Sequence, residues 1–99
     1  MSVYIDNAFL PFRNMLMCHL IADTQEELLA MVDKIKVQRK WIQYPRQPKR
    51  EHFDICSSKR VLAIKAGAVS VGWKDLAVAI ANRDVDGKLK FPENKFALK

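Results

Sequence analysis

Glycine is scarce, with three residues in 99, none of them clustered. A phosphate-cradling P-loop or a dinucleotide fingerprint needs clustered glycines, so nucleotide-dependent motors and Rossmann dehydrogenases are excluded. Cysteine is scarcer still. Cys18 and Cys56 can form at most one bridge and neither lies in a Cys-x-x-Cys pair, which excludes a disulfide scaffold or zinc ribbon and leaves two reduced thiols as the expectation. Long apolar runs are missing as well. The longest, Met15–Ala22, is interrupted by His19 and falls far short of the roughly 20 residues of a spanning helix, so no membrane partner is expected. The first six residues lack a basic segment followed by an apolar one, so no signal peptide is read and the cytoplasm is the expected compartment.

What is present is an ordinary globular composition, 49% hydrophobic and 28% charged, with a positive balance of 17 Lys+Arg against 11 Asp+Glu. A chain of 11.4 kDa can bury about two-thirds of its unfolded surface, enough for one core. One domain over residues 1–83 is expected.

Residues 2–6 alternate Val3 and Ile5 with polar neighbours and predict a short first strand. Residues 7–14 hold Pro11 and the turn-forming Arg13-Asn14 and predict a loop or edge connection. Met15–Ala22, apolar on both faces apart from His19, predicts the interior strand. Asp23-Thr24-Gln25-Glu26 has the form of a capping box with Asp23 as the cap, and Leu28, Met31, Val32 and Ile35 repeat at one-face spacing, giving a helix over about residues 24–36. Residues 51–56 form a candidate strand in which His52, Asp54 and Cys56 share a face. Ser57 or Ser58 can cap a second helix to Ala66, with Val61, Leu62 and Ala66 inward and Gly67 ending it. Residues 68–71 read as a short strand or link, and Trp73, Leu76, Ala77 and Ile80 set one face of a third helix over about residues 73–83. Residues 84–99 read as a loosely ordered basic tail. The expected fold is α/β, a small domain with a short, mostly parallel or mixed sheet of three to four strands and about three helices.

Two groups of residues carry chemistry. Residues 38–50 hold no acid, and Arg39, Lys40, Arg46, Lys49 and Arg50 surround Trp41 and Tyr44. Pro45 and Pro48 exclude a continuous helix there, so this is an exposed basic loop. Aromatic planes among cations are what single-stranded nucleic acid needs for stacking and phosphate contact. The second group is His19 in the apolar strand, Asp23 at its end, and His52 with Asp54 in another strand. Two imidazoles and two carboxylates fit either a two-His, one-carboxylate metal set or an acid/base pair acting on a phosphodiester. Both uses require the two strands to be adjacent.

Taken in order, Val3-Tyr4-Ile5-Asp6, Met17-Cys18-His19-Leu20-Ile21-Ala22-Asp23-Thr24 with Glu27-Leu28, Arg39-Lys40-Trp41, Glu51-His52-Phe53-Asp54, Ser58-Lys59-Arg60 and Ala66-Gly67-Ala68-Val69 resemble the small bacterial and phage family DUF4031. The resemblance spans about residues 2–83 and leaves the tail outside. It implies a compact single domain, often phage or prophage encoded, with His, Asp and Arg at the positions of His19, Asp23, His52, Asp54 and Arg39, and it implies no activity. The first expectation is therefore a phage-type accessory protein of the host cytoplasm that contacts nucleic acid through its basic loop. A small hydrolase of a phosphodiester or nucleotide at the His/Asp cluster is the second. A module that binds a host protein is the third. Neither a cofactor nor an oligomeric state follows from these residues.

Overall fold

A computed structural model of the chain describes residues 2–47 and 50–91. In chain order the elements are β1 (Val3–Ile5), β2 (Leu10–Phe12), β3 (Met15–Ala22), α1 (Gln25–Lys34), a 3₁₀ turn (Arg39–Trp41), β4 (Phe53–Cys56), α2 (Ser57–Lys65), β5 (Val69–Ser70) and α3 (Trp73–Ala81). The fold is α/β, with three helices on a mixed five-stranded sheet. No helix among the described residues is long and apolar enough to cross a membrane.

The apolar run does form the interior strand. Leu20 pairs with both Ile5 and Phe53, and Met17 with both Leu10 and Cys56, so β4 occupies one edge of β3 while β1 and β2 lie end to end along the other. β5 then joins β1 in the sheet's parallel pairing. β2 is the strand the sequence hides. It forms a hairpin with β3 across Arg13-Asn14, Arg13 taking a left-handed φ of 55°, and Pro11 is tolerated because β2 is a short marginal strand.

Alternation along β3 sends Cys18 and Leu20 to one face, where they pack with Ile5, Phe53, Ile55, Leu28, Val32 and Ala63 beneath α1 and α2. Ile21 goes to the other face, against Val71, Leu76 and Ala79 of the α3 side. Helix α1 starts one residue later than expected. Thr24, not Asp23, is its cap: the Thr24 hydroxyl oxygen accepts from the Glu27 N–H, and its O–H donates to the Glu27 carboxylate, so the cap and its acidic partner sit one position later than expected.

Helix α2 is rotated from the expected orientation, with Ala63 buried and Val61 and Leu62 exposed. The inward side carries two cations with carbonyl partners, Lys59 donating to the Ile35 oxygen and Arg60 to the Asp6 oxygen, so apolarity alone misplaces the face. Neither Ser57 nor Ser58 caps it. Cys56 is the N-cap and makes no side-chain cap bond. Gly67 ends the helix at φ 110°, a conformation that favours glycine.

Ordered structure continues past residue 83, correcting the expected loose tail over 84–91. Arg83, buried, donates to the carbonyls of Ala22 and Gly87. Asp84 accepts from the N–H groups of Asp86 and Lys88, which closes a turn through Gly87 at φ 89°. The chain then lays Leu89 into the core, 4% exposed, and Phe91 against Tyr4. Two apolar residues and a polar clamp make no pattern long enough to read as an element, which is why the sequence reads as tail. The rest of that expected tail, residues 92–99, lies outside the described residues.

Leu28→Ala and Leu76→Ala should each cost about 2–5 kcal/mol, because both side chains are almost wholly enclosed. Val61→Ala, exposed on α2, should stay within about 0.5 kcal/mol of the parent. Leu89→Ala should also destabilise by about 2 kcal/mol or more if the segment after Arg83 is part of the cooperative unit. Denaturant midpoints at constant m-value check all four.

Candidate metal centre

The same alternation that buries Cys18 and Leu20 turns His19 to the α3 side of the sheet. Asp54 is its direct cross-strand partner on β4, and His52, two residues before Asp54, shares that face. The His19 and His52 rings lie 5.5 Å apart, centroid to centroid. His19, His52 and Asp54 therefore meet, as sequence reasoning requires for either chemical use.

Asp6 holds His19 in place, and sequence reasoning missed it. In a regular antiparallel pair the His19 N–H would bond the Asp6 carbonyl. Here the Asp6 N–H does donate to the His19 oxygen, but the His19 N–H goes to Asp6 Oδ1 at 2.8 Å. Asp6 Oδ1 also takes the Ala8 N–H, and Asp6 Oδ2 takes His19 Nδ1 at 2.7 Å. The side chain has replaced the main chain as acceptor, which releases the Asp6 carbonyl to Arg60 of α2. From there residues 7–9 bulge out opposite the single residue Cys18 before pairing resumes at Leu10 and Met17.

Asp6 is 2% exposed. Burial works to raise its pKa, but the hydrogen bonds from the His19 ring, the His19 N–H and the Ala8 N–H outweigh it and hold the carboxyl below the usual range. His19 is correspondingly pushed up, chiefly by its bond to Asp6, with burial opposing. Asp54 is held low by His52, against the opposing effect of burial. On His52, Nδ1 faces the Arg50 carbonyl oxygen at 2.8 Å. That oxygen only accepts, so Nδ1 carries the proton.

Both rings thus have Nδ1 tied to an acceptor, and both direct Nε2 at Asp54 Oδ1, His52 at 3.4 Å and His19 at 3.9 Å. One ligand atom from each of the three residues lies within 4.8 Å of the others. Zinc binds imidazole nitrogen and carboxylate oxygen at about 2.0–2.2 Å, so small side-chain rotations would close the three around one ion.

Asp23 does not join them. Its carboxylate accepts the N–H groups of Ser2 and Leu89, tying both ends of the described chain to the strand–helix junction, and it lines a separate polar cavity with Arg46, Glu51 and Arg83. It is a structural anchor, with neither the capping nor the pocket role.

The basic loop divides similarly. Arg39 is spent on a two-pronged pair with Asp33 of α1, at 2.7 and 3.0 Å. Lys40 lies over the Trp41 ring. Tyr44, at φ 55°, carries the Arg50 guanidinium 4.0 Å from its ring centre and sits 6.0 Å from the His52 ring. Lys49 lies outside the described residues. Tyr44 and Arg50 wall a cavity of about 570 Å³ whose floor is Asp6, His19 and Ile21 and whose far side is Trp73, Leu76, Ala77 and Ile80 of α3. The α3 stripe expected to be core therefore splits: Leu76 is buried, while Trp73 and Ala77 face this opening. A second cavity of about 590 Å³ adjoins, sharing Leu10 and His19 and bounded by Phe12, Met15, Trp41 and Asp54.

The Asp6–His19 pair gives the ion-free protein a pH-dependent stability of defined sign. The raised His19 contributes fully below its unfolded pKa of about 6.5 and loses that contribution as pH rises through the folded value. The depressed Asp6 contributes fully above about 3.9 and loses it as pH falls through its folded value. The stability gap between the native chain and His19→Gln, measured by denaturation in chelator, should be widest between about pH 4 and 6.5 and narrow on the alkaline side. A gap that widened above pH 7 would contradict the pairing.

No curated protein and no solved structure matches the chain. A profile described as a protein of unknown function, DUF4031, matches residues 3–83, the span that carries β1 to α3 and all four members of the Asp6, His19, His52 and Asp54 cluster. The chain belongs to the DUF4031 family.

Proposed function

We propose that the chain is a small metal-dependent hydrolase of phosphate esters, its ion held by Nε2 of His19, Nε2 of His52 and a carboxylate oxygen of Asp54. The observation that carries this reading is the double tie on the two imidazoles. Metal-ligating histidines are commonly fixed by an acceptor on the far ring nitrogen, which sets the tautomer and aims the other nitrogen. Here an acidic acceptor holds one ring and a carbonyl the other, and both remaining nitrogens face one carboxylate. Packing alone would require neither tie.

Two histidines and one carboxylate match the donor set of hydrolytic zinc sites that keep an open position. An ion there supplies Lewis acidity to a phosphoryl oxygen and water of lowered pKa. The chain's own residues do the rest. Asp6 orients His19 and makes Nε2 a better donor, the Arg50 carbonyl does the same for His52, and the Arg50 guanidinium in the cavity wall favours an anionic ester. The formal charge of +6 draws such a substrate from solution. In the reaction the water oxygen bonds to phosphorus as the bond to the leaving oxygen breaks. That oxygen keeps the electron pair and takes a proton, so water is the only co-reactant.

Chelated protein titrated with Zn²⁺ should take up a single ion by elemental analysis. His52→Ala and Asp54→Asn, both partly exposed positions, should reduce uptake without altering the circular dichroism spectrum, and Asp6→Asn should weaken affinity about 10- to 100-fold. Hydrolysis of bis(4-nitrophenyl) phosphate by the loaded protein should fall about 10²-fold or more in His52→Ala. Unchanged uptake in the His52 variant would dismiss the centre.

A further inference from the structure

The two cavities are alike in one respect that a site for a simple monoester would not need. Each is bounded by two exposed aromatic rings, Tyr44 and Trp73 in the first and Phe12 and Trp41 in the second. All four are large apolar groups left between 42% and 59% exposed. Each has a cation over it: Arg50 on Tyr44 at 4.0 Å, Lys74 on Trp73 at 5.5 Å, Arg13 on Phe12 at 5.4 Å and Lys40 on Trp41 at 5.2 Å. These rings come from four separate parts of the chain, the hairpin β2, the 3₁₀ turn, the basic loop and the start of α3; Arg13, Lys40 and Lys74 are the chain neighbours of the rings they cover, and what the fold adds is that the four rings line two adjoining cavities.

His19 lies on the boundary that the two cavities share, and Asp54 and His52 flank it one on each side: Asp54 borders the second cavity and His52 the first. A ligand that occupies both cavities can lie across His19, one of the two residues that line both. The Phe9–Arg60 pair stands apart, because Arg60 donates to the Asp6 carbonyl and to Ser70 and is fixed within the fold.

We propose that these cavities are two nucleobase subsites and that the substrate is single-stranded nucleic acid, lying with one nucleotide in each cavity and the linking phosphodiester over His19, His52 and Asp54. Aromatic faces stack on any base, and cations beside them meet the phosphates between bases. A duplex keeps its bases inside its own stack, so these rings discriminate against it. The cleavage step rests on the hydrolase reading above; the strand-binding surface does not.

Fluorescence anisotropy of a labelled twelve-residue oligothymidylate, with the protein in chelator at low salt, tests the surface separately from the reaction. Trp41→Ala and Trp73→Ala should each weaken binding about 5- to 100-fold, while Val85→Ala, fully exposed elsewhere, changes nothing. The same oligonucleotide as a duplex should bind more weakly than the single strand. Both tryptophans are half exposed, so circular dichroism and Zn²⁺ uptake should be unaltered in these variants. Parent-like binding by both tryptophan variants overturns the proposal and leaves the metal centre standing. Loss in only one variant overturns the two-sided site. Tryptophan-dependent binding by a protein that takes up no Zn²⁺ supports the strand surface and removes the hydrolase.

Discussion

The carboxylate of Asp6 does three jobs from one buried position. It takes the main-chain N–H of His19 in place of its own carbonyl, it takes the His19 ring, and it takes the Ala8 N–H that starts the bulge. Its displaced carbonyl then holds Arg60, joining α2 to the C-terminal end of β1. Removing one partner leaves the buried Asp6 carboxylate or a donor without compensation, a loss on the order of 1–3 kcal/mol. Strand interruption, histidine orientation and helix docking are therefore one linked arrangement, and none of them can be altered alone.

The bulge also shapes the open face. By ending β1 at Ile5 and restarting at Leu10, the chain carries the β2–β3 hairpin outward, away from the cover that α3 provides near Ile21. On that face Ile21 packs under α3, while His19 opens on a cavity that α3 only borders. His19 and Asp54 lie at this opening, bordered by Phe12 of the hairpin, Trp41 of the 3₁₀ turn and the Tyr44 and Arg50 side chains. The opposite face is closed by α1 and α2 and carries most of the enclosed apolar side chains. Stability is concentrated on one side of the sheet and the candidate chemistry on the other.

How much of this was legible in the sequence follows from the range over which each interaction acts. The bounds of β3, the stripe of α1 and the shared face of His52 and Asp54 depend on periods of two or 3.6 residues, which are local. The meeting of His19 with His52 needed only that β3 and β4 be neighbours. Asp6 was invisible because its role depends on a register that pairs it with His19 across 13 residues. Asp23 has cap chemistry one residue from the true cap, so the local reading was satisfied by the wrong residue; its actual partners, Ser2 and Leu89, are 21 and 66 residues away. β2 was read as a loop because Pro11 and a turn suggest one, and only the antiparallel partner across Arg13-Asn14 makes it a strand.

The division of α3 has a different physical origin. Trp73, Leu76, Ala77 and Ile80 recur at helical spacing, and that spacing encodes an apolar surroundings without saying what supplies it. Leu76 finds it in the protein. Trp73 finds only an open cavity, at half exposure. A stripe that is wholly core would be expected to taper toward small residues at its open end, since a large ring there gains little from partial burial. Placing a tryptophan at that end, on the rim of a cavity that Tyr44 and Arg50 also line, makes sense when the missing contacts come from a planar ligand. The periodicity of α3 therefore encodes an apolar environment of which the chain itself supplies only part.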